Sequence, residues 1–586
     1  MRLASRKPAT LCLKRRLLDL KQPALLRLNF HHISAMTVRF DFDSLNFPYA
    51  SRRSVVFAKN GAACAGNPHC ASVGLQILMA GGNAVDAAVA MAASQPLFEP
   101  TGNGLGADCF AILSFKGQIY GINGSGPAPA AASIEALKAL VPTEGDAPTE
   151  IPPYGVLPVD VPGAVGAWAA LHERFGRLPF EAVLAPAIRY AENGYPVSPN
   201  VARWWQVAYG RYEKYADQPA FRGLFETFMK PDKTGKTCKT WYRPGEIFRS
   251  PDMAKTLRLI AETKGEAFYR GEIARDIDGF MRKEGGFLRA SDLAAYRPEW
   301  VTPLHADFCG HEIWELPPNG QGITVLMALR MLEALPPARD GVERLHRTIE
   351  AVKLALADGA AHVAEPAAMR LQAEALLSAD YARERAARIG REAVDAEPGM
   401  PASPSTVYFC AADAEGTMVS MIQSNYRGFG SGIVIPGTGI SLNDRGQCFS
   451  LDPAHPNALA GGKRPYHTII PGFITKAGEP FGAFGIMGGL MQPQAHVQVL
   501  ENLLARGLNP QAALDAPRWQ WMGGRRVAFE QGFPNHLLLS LARRGHEVSV
   551  NPDDDVMGRG QMILRDGAGV LCAATERRTD GQIMAF

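Results

Sequence analysis

The sequence predicts an α+β protein, helix-rich in its first part and strand-rich in its second. Three observations carry that expectation. Residues 71 to about 390 read mainly as helical segments rich in small and apolar side chains. From Thr406 onward, short apolar runs bounded by glycine and proline read as strands. Between them, AEPGMPASPS (residues 396–405) is the clearest compositional boundary in the chain. At 586 residues the chain exceeds one ordinary core, so two domains or one large multilayer fold is expected.

Taken in order, ASVGLQILMAGGNAVDAAVAMAAS reads as two helices broken at Gly81-Gly82, with Asn83 capping the second. A glycine loop, TGNGLGAD, falls into a strand from Cys109. LVPTEGDAPTEIPPYG (140–155) reads as a surface loop, and two or three helices follow it from Gly163. Residues 200–300 are mainly helical, 301–318 alternate like a strand pair, and helices resume at Gly322. TVYFCAAD and TMVSMIQS form a predicted hairpin about a turn containing Gly416. Further strands are expected at KRPYHTIIPGFI, EPFGAFGI, QMILRD and VLCAA, with helices at 495–506 and 534–544. No internal repeat interrupts this order.

The composition, 47% hydrophobic and 20% charged, is that of a soluble globular protein. The best candidate for a membrane span, residues 84–97, carries Asp86 and is too short. A net charge of +3 leaves no nucleic-acid footprint. Residues 1–35 hold eight Lys/Arg and one Asp, hence +7, leaving −4 for the rest. That opening reads as a transit-like segment or an upstream start codon. The second is favoured because Met36 begins the folded-looking MTVRFDFDSLNFPYASRRSVVF. Residues 1–46 are set apart accordingly, as a basic extension that is disordered or a mis-called start. The nine cysteines form no C-x-x-C pair, so neither a zinc site nor a disulfide framework is indicated. Reduced cytoplasm suits them, and no metal or cofactor is expected.

Several patterns lose to plainer readings. Gly428-Phe429-Gly430-Ser431-Gly432 is followed by Ile433-Val434-Ile435-Pro436, not by a helix or a Lys-Ser/Thr ending. His346 and Glu350 share a helix face without a third ligand nearby, and read as a helix-surface pair. No G-x-S-x-G elbow supports a serine hydrolase.

Thr406 is different. Its plain reading is the first residue of a buried strand, where β-branched residues are at home. Its chemical reading needs the Ser405–Thr406 peptide to be cut. The freed α-amine, with a pKa of about 7.7–8.0, would then serve as base for the hydroxyl beside it. A proline-rich linker running into a rigid strand suits such a cut. Ser424, in the second strand of the hairpin, could lie opposite and orient the hydroxyl. Gly488-Gly489, just past a strand, reads as an ordinary turn or as paired N–H donors for an oxyanion.

These residues resemble a known family. TVYFCAADAEGTMVSMIQSNYRGFGSG, KRPYHTIIPGF and GIMGGLMQPQ are similar to the small subunit of γ-glutamyltranspeptidases, N-terminal-nucleophile hydrolases matured by self-cleavage. AGGNAVDAAVA, VDVPGAVGAW, RFGRLPFEAVLAPAI, GGFLRASDLAAY and HRTIEAVKLALAD extend the likeness from about Phe47 to the C-terminus. The resemblance implies a four-layer αββα sandwich, a large subunit (47–405), a small subunit (406–586) and a possible dimer of such heterodimers. It makes Thr406 the nucleophile, Ser405–Thr406 the cleaved bond, Ser424 its supporting hydroxyl, and Gly488 and Gly489 the oxyanion glycines. Tyr426, Arg445, His467 and Thr468 fall to substrate binding, His467-Thr468 standing where the family has a serine pair.

Two departures bear on the substrate. Ser125, in NGSGPAP, stands where the family's carboxylate-binding arginine would be, and Cys448 where it has an ammonium-binding acid. Losing a bidentate arginine removes a strong carboxylate clamp, which Arg445 or Arg427 could rebuild from another side, with Asp444 nearby. The IQSNY and PPNGQG stretches are similar to the branch with oxamate amidohydrolase. A self-processing hydrolase of a small amide such as oxamate is therefore expected, with no nucleic-acid or membrane partner. A true γ-glutamyltransferase or glutathione hydrolase, and a silent paralogue acting as a scaffold, are the competing readings.

Overall fold

Strands drawn from both ends of the chain make two seven-stranded sheets. The first runs in the order Gln582–Ala585, Gly61–Ala65, Ser405–Asp413, Met418–Tyr426, Asp108–Phe115, Gln118–Gly124, Glu299–Val301. The second runs Val56–Ala58, Leu571–Thr575, Arg559–Arg565, Glu479–Met487, Gly472–Lys476, His311–Glu315, Leu304–Phe308. The computed structural model describes residues 53–141, 150–231, 238–396, 405–552 and 556–586. Residues 38–586 form one unit, so the proline-rich stretch before Thr406 does not divide the chain into two domains. The basic extension lies outside the described residues, as does most of the linker.

The period of two in each strand decides which side chains meet. Tyr408, Cys410 and Ala412, with Ile422 and Phe110, share one buried cluster with Phe473, Ala483, Met487 and Ile563 of the other sheet. The alternate residues Val407, Phe409 and Ala411 pack instead with helices Pro68–Met79, Ala84–Phe98 and Ala164–Phe175. On the second sheet, Ile474, Phe484, Ile486 and Met562 pack with helices Gly322–Glu333, Gly341–His362 and Met491–Leu500.

Local chemistry sets the helix ends. Gly81, with φ of 91°, closes the first helix of the predicted pair, and Asn83 opens the second. Asn83 Oδ1 accepts the N–H groups of Val85 and Asp86, while Asp86 Oδ2 accepts that of Asn83, a reciprocal cap. Every residue of helix Ala84–Phe98 is buried, which its many alanines permit. The hairpin about Gly416 forms as expected. KRPYHTIIPGFI does not make a continuous strand: apart from one parallel bridge between His467 and Gly320, ladder pairing starts at Gly472, and the carbonyls of Pro465 and Thr468 before it accept from side chains of the site below. A small sheet of Trp519–Trp521, Arg526–Glu530 and Glu547–Asn551, closed by a parallel pair, was not anticipated.

His346 and Glu350 are not a surface pair. Both are fully buried beneath His546, whose Nε2 lies 2.8 Å from His346 Nδ1 and 3.7 Å from Glu350 Oε1. Lys353 donates to Glu350 Oε1 at 2.8 Å, and Glu350 Oε2 accepts the N–H of Val394. Spacing within one helix says nothing of a partner 200 residues away. Burial holds His346 down at about 4 and His546 at about 3. Unfolding returns both toward about 6.5, so the unfolded chain binds protons first. Their neutral burial thus contributes fully above pH ~6.5 and is lost as pH falls toward the folded values. The thermal midpoint is expected to drop across that window, with a shallower slope in His546→Gln, as read by calorimetry.

Candidate active site

The register of the central hairpin slips between Ser405 and Val407: Ser405 faces Tyr426, and Val407 faces Gln423. Thr406 sits in that bulge, 1% exposed, with its hydroxyl oxygen 3.1 Å from that of Ser424. Ser424 Oγ also accepts the N–H of Tyr426 at 2.8 Å. Ser424 pairs in register with Asp108 on the neighbouring strand. Thr406, Ser424 and Asp108 therefore form a polar row on the face that Tyr408, Ile422 and Phe110 present to the second sheet. The site lies at one end of the layer between the sheets.

Arg445 faces this row from the 3-10 turn Arg445–Cys448. Its guanidinium is completely buried, with its carbon 4.5 Å from the centre of the Tyr426 ring. Tyr426 is placed for that stack by a φ of 80°, a conformation non-glycine residues adopt only under constraint. Arg445 Nη1 donates to Thr468 Oγ1 at 2.8 Å and to Cys448 Sγ at 3.8 Å. Its Nε lies 3.7 Å from Asp108 Oδ2, and neither Nε nor Nη2 makes a hydrogen bond. Arg427 adjoins Asp444 instead: its backbone N–H donates to Asp444 Oδ1 at 3.0 Å, and its side-chain Nε, which makes no hydrogen bond, lies 3.9 Å from Oδ2.

His467 Nε2 lies 3.1 Å from Asp108 Oδ2, and its Nδ1 accepts the N–H of Ile469. That second bond makes Nδ1 the lone-pair nitrogen, so Nε2–H donates to the carboxylate. Burial, with Arg445 beside it, pushes His467 well below its usual range and keeps it neutral. Burial raises Asp108 to about 7 against the pull of Arg445. Asp444 is raised to about 7 for the same reason, opposed by its bond to the Arg427 N–H, and its Oδ2 has no hydrogen-bond partner.

Gly488 and Gly489 follow strand Glu479–Met487 and take φ of 140° and 60°. Phe484 O accepts from Ser420, and a Cβ on Gly485 would meet the Tyr408 ring at 2.3 Å. Strand 479–487 thus advances along the hairpin toward its Thr406 end. Gln321 Nε2 ties the turn to the rest of the site, donating to Gly489 O at 2.8 Å and Thr468 O at 2.6 Å. Ser125 donates to Asn123 Oδ1 at 2.7 Å, and Asn319 Nδ2 donates to it at 3.3 Å. It braces the wall of the site and supplies no cation.

Asp108, Gln321 and Asn319 were not singled out from the sequence. The only signals were the glycine loop before Asp108 and the PPNGQG stretch. Among the described residues, His346, Glu350 and His546 bring three ligand atoms within 4.8 Å of one another, but Lys353 already supplies the cation there.

The family description "Gamma-glutamyltranspeptidase" matches residues 70–586. The chain belongs to the γ-glutamyltranspeptidase family. Within it, the chain is 35% identical to the glutathione hydrolase-like YwrD proenzyme of Bacillus subtilis strain 168, over 88% of this chain and 97% of that one. It is 33% identical to the oxamate amidohydrolase proenzyme of Klebsiella pneumoniae, over 90% and 98%. Among solved structures it resembles a cephalosporin acylase from Bacillus halodurans at 52% identity and a TM-score of 0.87, covering 93% of this chain and 99% of that one. These γ-glutamyltranspeptidase relatives are hydrolases, and this chain shares their mixed helix-and-sheet fold. Among its described residues, no helix is long and apolar enough to cross a membrane.

Proposed function

We propose that this chain is a self-cleaving amide hydrolase in which Thr406 becomes an N-terminal nucleophile and forms an acyl-enzyme. The proposed substrate is a small amide with a carboxylate on its acyl side, such as oxamate. In this reading the fold is the four-layer αββα sandwich, and cleavage yields a large subunit (47–405) and a small one (406–586). The hydroxyl of Thr406 attacks the Ser405 carbonyl carbon, the C–N bond breaks, and the resulting ester is opened by water. The freed amine then draws the hydroxyl proton as Thr406 attacks a substrate amide, with the Gly488-Gly489 turn serving the oxyanion. Water releases the acyl group. Two relatives named as proenzymes support the self-cleavage.

The observation that carries the substrate class is Arg445: a buried guanidinium with two N–H positions making no hydrogen bond. Unmade hydrogen bonds at a buried charge are costly, and a carboxylate is the group that satisfies a guanidinium fork. Oxamate should release ammonia from the processed enzyme, while γ-glutamyl-p-nitroanilide is turned over poorly. Vigorous turnover of glutathione would reverse that choice. One observation favours such a γ-glutamyl reading: Asp444 Oδ2, also buried and without a hydrogen-bond partner, could receive an α-ammonium while Arg445 takes the α-carboxylate.

A further inference from the structure

A cavity of about 10 Å³ lies on another side of Thr406, lined by Glu99, Thr101, Asn200, Trp204 and Arg559 besides Thr406 itself. That volume accommodates about one water, and the lining offers the two to four polar partners a buried water needs. Glu99 follows helix Ala84–Phe98 and is 8% exposed. Its Oε1 has no hydrogen-bond partner. Its backbone carbonyl accepts the N–H of Gly102, and a Cβ on Gly102 would lie 3.3 Å from Thr406 O, so this turn is pressed against the nucleophile. Arg559 enters from the second sheet, where it pairs with Met487 just before the Gly488-Gly489 turn. It is held over the Trp204 ring at 4.8 Å.

We propose that Glu99 is the general base for the water that opens the Ser405–Thr406 ester, with that water seated in the shared cavity. This rests on the self-cleavage reading above. The water oxygen adds to the Ser405 acyl carbon and its proton passes to the Glu99 carboxylate. The bond from that carbon to Thr406 Oγ1 then breaks, and Oγ1 takes the proton back from Glu99. The products are a Ser405 carboxyl group and Thr406 with a free hydroxyl and amine. Asp108 and Asp444 are the other carboxyls described at the site, but neither lines this cavity; Asp108 accepts from Gly126 N and His467 Nε2, and Asp444 Oδ1 accepts the backbone N–H of Arg427. Burial raises Glu99 to about 7, which suits a base working near neutrality. The groups facing it are Arg559, Asp580 and Gln95, together with Cys70 and Tyr195, both of which burial keeps neutral.

The test follows precursor cleavage of the full chain on denaturing gels across neutral pH, with and without hydroxylamine. Wild-type cleavage should accelerate as pH rises through about 7. In Glu99→Gln it should slow on the order of 100-fold and lose that rise. Hydroxylamine, which opens esters without a base, should restore cleavage and leave a hydroxamate on Ser405, detected by mass spectrometry. Glu99→Gln cleaving at the wild-type rate, or remaining intact in hydroxylamine while unfolding at the wild-type temperature, would overturn the proposal. If Glu99→Gln does not fold, Glu99→Asp decides: a displaced pH profile supports the role, an unchanged one refutes it. Failure of the wild type to cleave at all would instead sink the self-cleavage reading itself.

Discussion

Thr406→Ala is expected to yield one uncleaved polypeptide, where the wild type yields two bands and a small fragment beginning with threonine. Amide hydrolysis should fall by roughly 10⁶-fold, the scale on which removal of a catalytic nucleophile acts. The substitution removes only a hydroxyl and a methyl group from a residue at the end of its strand, so folding should survive. N-terminal sequencing of the wild-type fragment checks the position of the break. Two subunits from the alanine variant would remove Thr406 from the mechanism. Thr406→Ser, which keeps a hydroxyl 3.1 Å from Ser424 within reach, should cleave and turn over at a reduced rate.

Arg445→Lys should separate recognition from chemistry. Lysine keeps the positive charge among Asp108, Asp444 and Thr468 but cannot offer two parallel N–H groups. A charge-assisted hydrogen bond is worth about 1.5–3 kcal/mol, so kcat/KM for oxamate should fall on the order of 10- to 100-fold. Self-cleavage needs no external carboxylate and should proceed to completion. An amide without a carboxylate should lose little. If oxamate and such a neutral amide fall together, Arg445 supports the scaffold and not the ligand.

What could be read in advance was local. The break at Gly81-Gly82, the cap at Asn83 and the hairpin about Gly416 are each fixed by a few neighbouring residues, and each stands where expected. Thr406 and Ser424 could be paired from the hairpin alone, because register is set by its turn. Partners supplied by distant segments were invisible. Asp108 joins the row only through the pairing of Met418–Tyr426 with Asp108–Phe115. The bonds that the side chains of His467 and Thr468, expected to touch substrate, make to Asp108 and Arg445 were invisible likewise. Glu99 carried no motif at all. Its place beside Thr406 follows from how the end of a helix meets the end of a sheet.

Ser405–Asp413 has Gly61–Ala65 on one side and Met418–Tyr426 on the other. In the second sheet, Leu571–Thr575 has Val56–Ala58 on one flank, and Gly472–Lys476 adjoins His311–Glu315. Any cut before Thr406 thus leaves two polypeptides interleaved like the fingers of clasped hands. Parting them would mean unzipping backbone ladders in both sheets at once, so dilution should not release either piece. Fragments made separately would each lack neighbours for their edge strands and should clump before they meet. A single translated chain is the physical means of getting the weave right before any such cut.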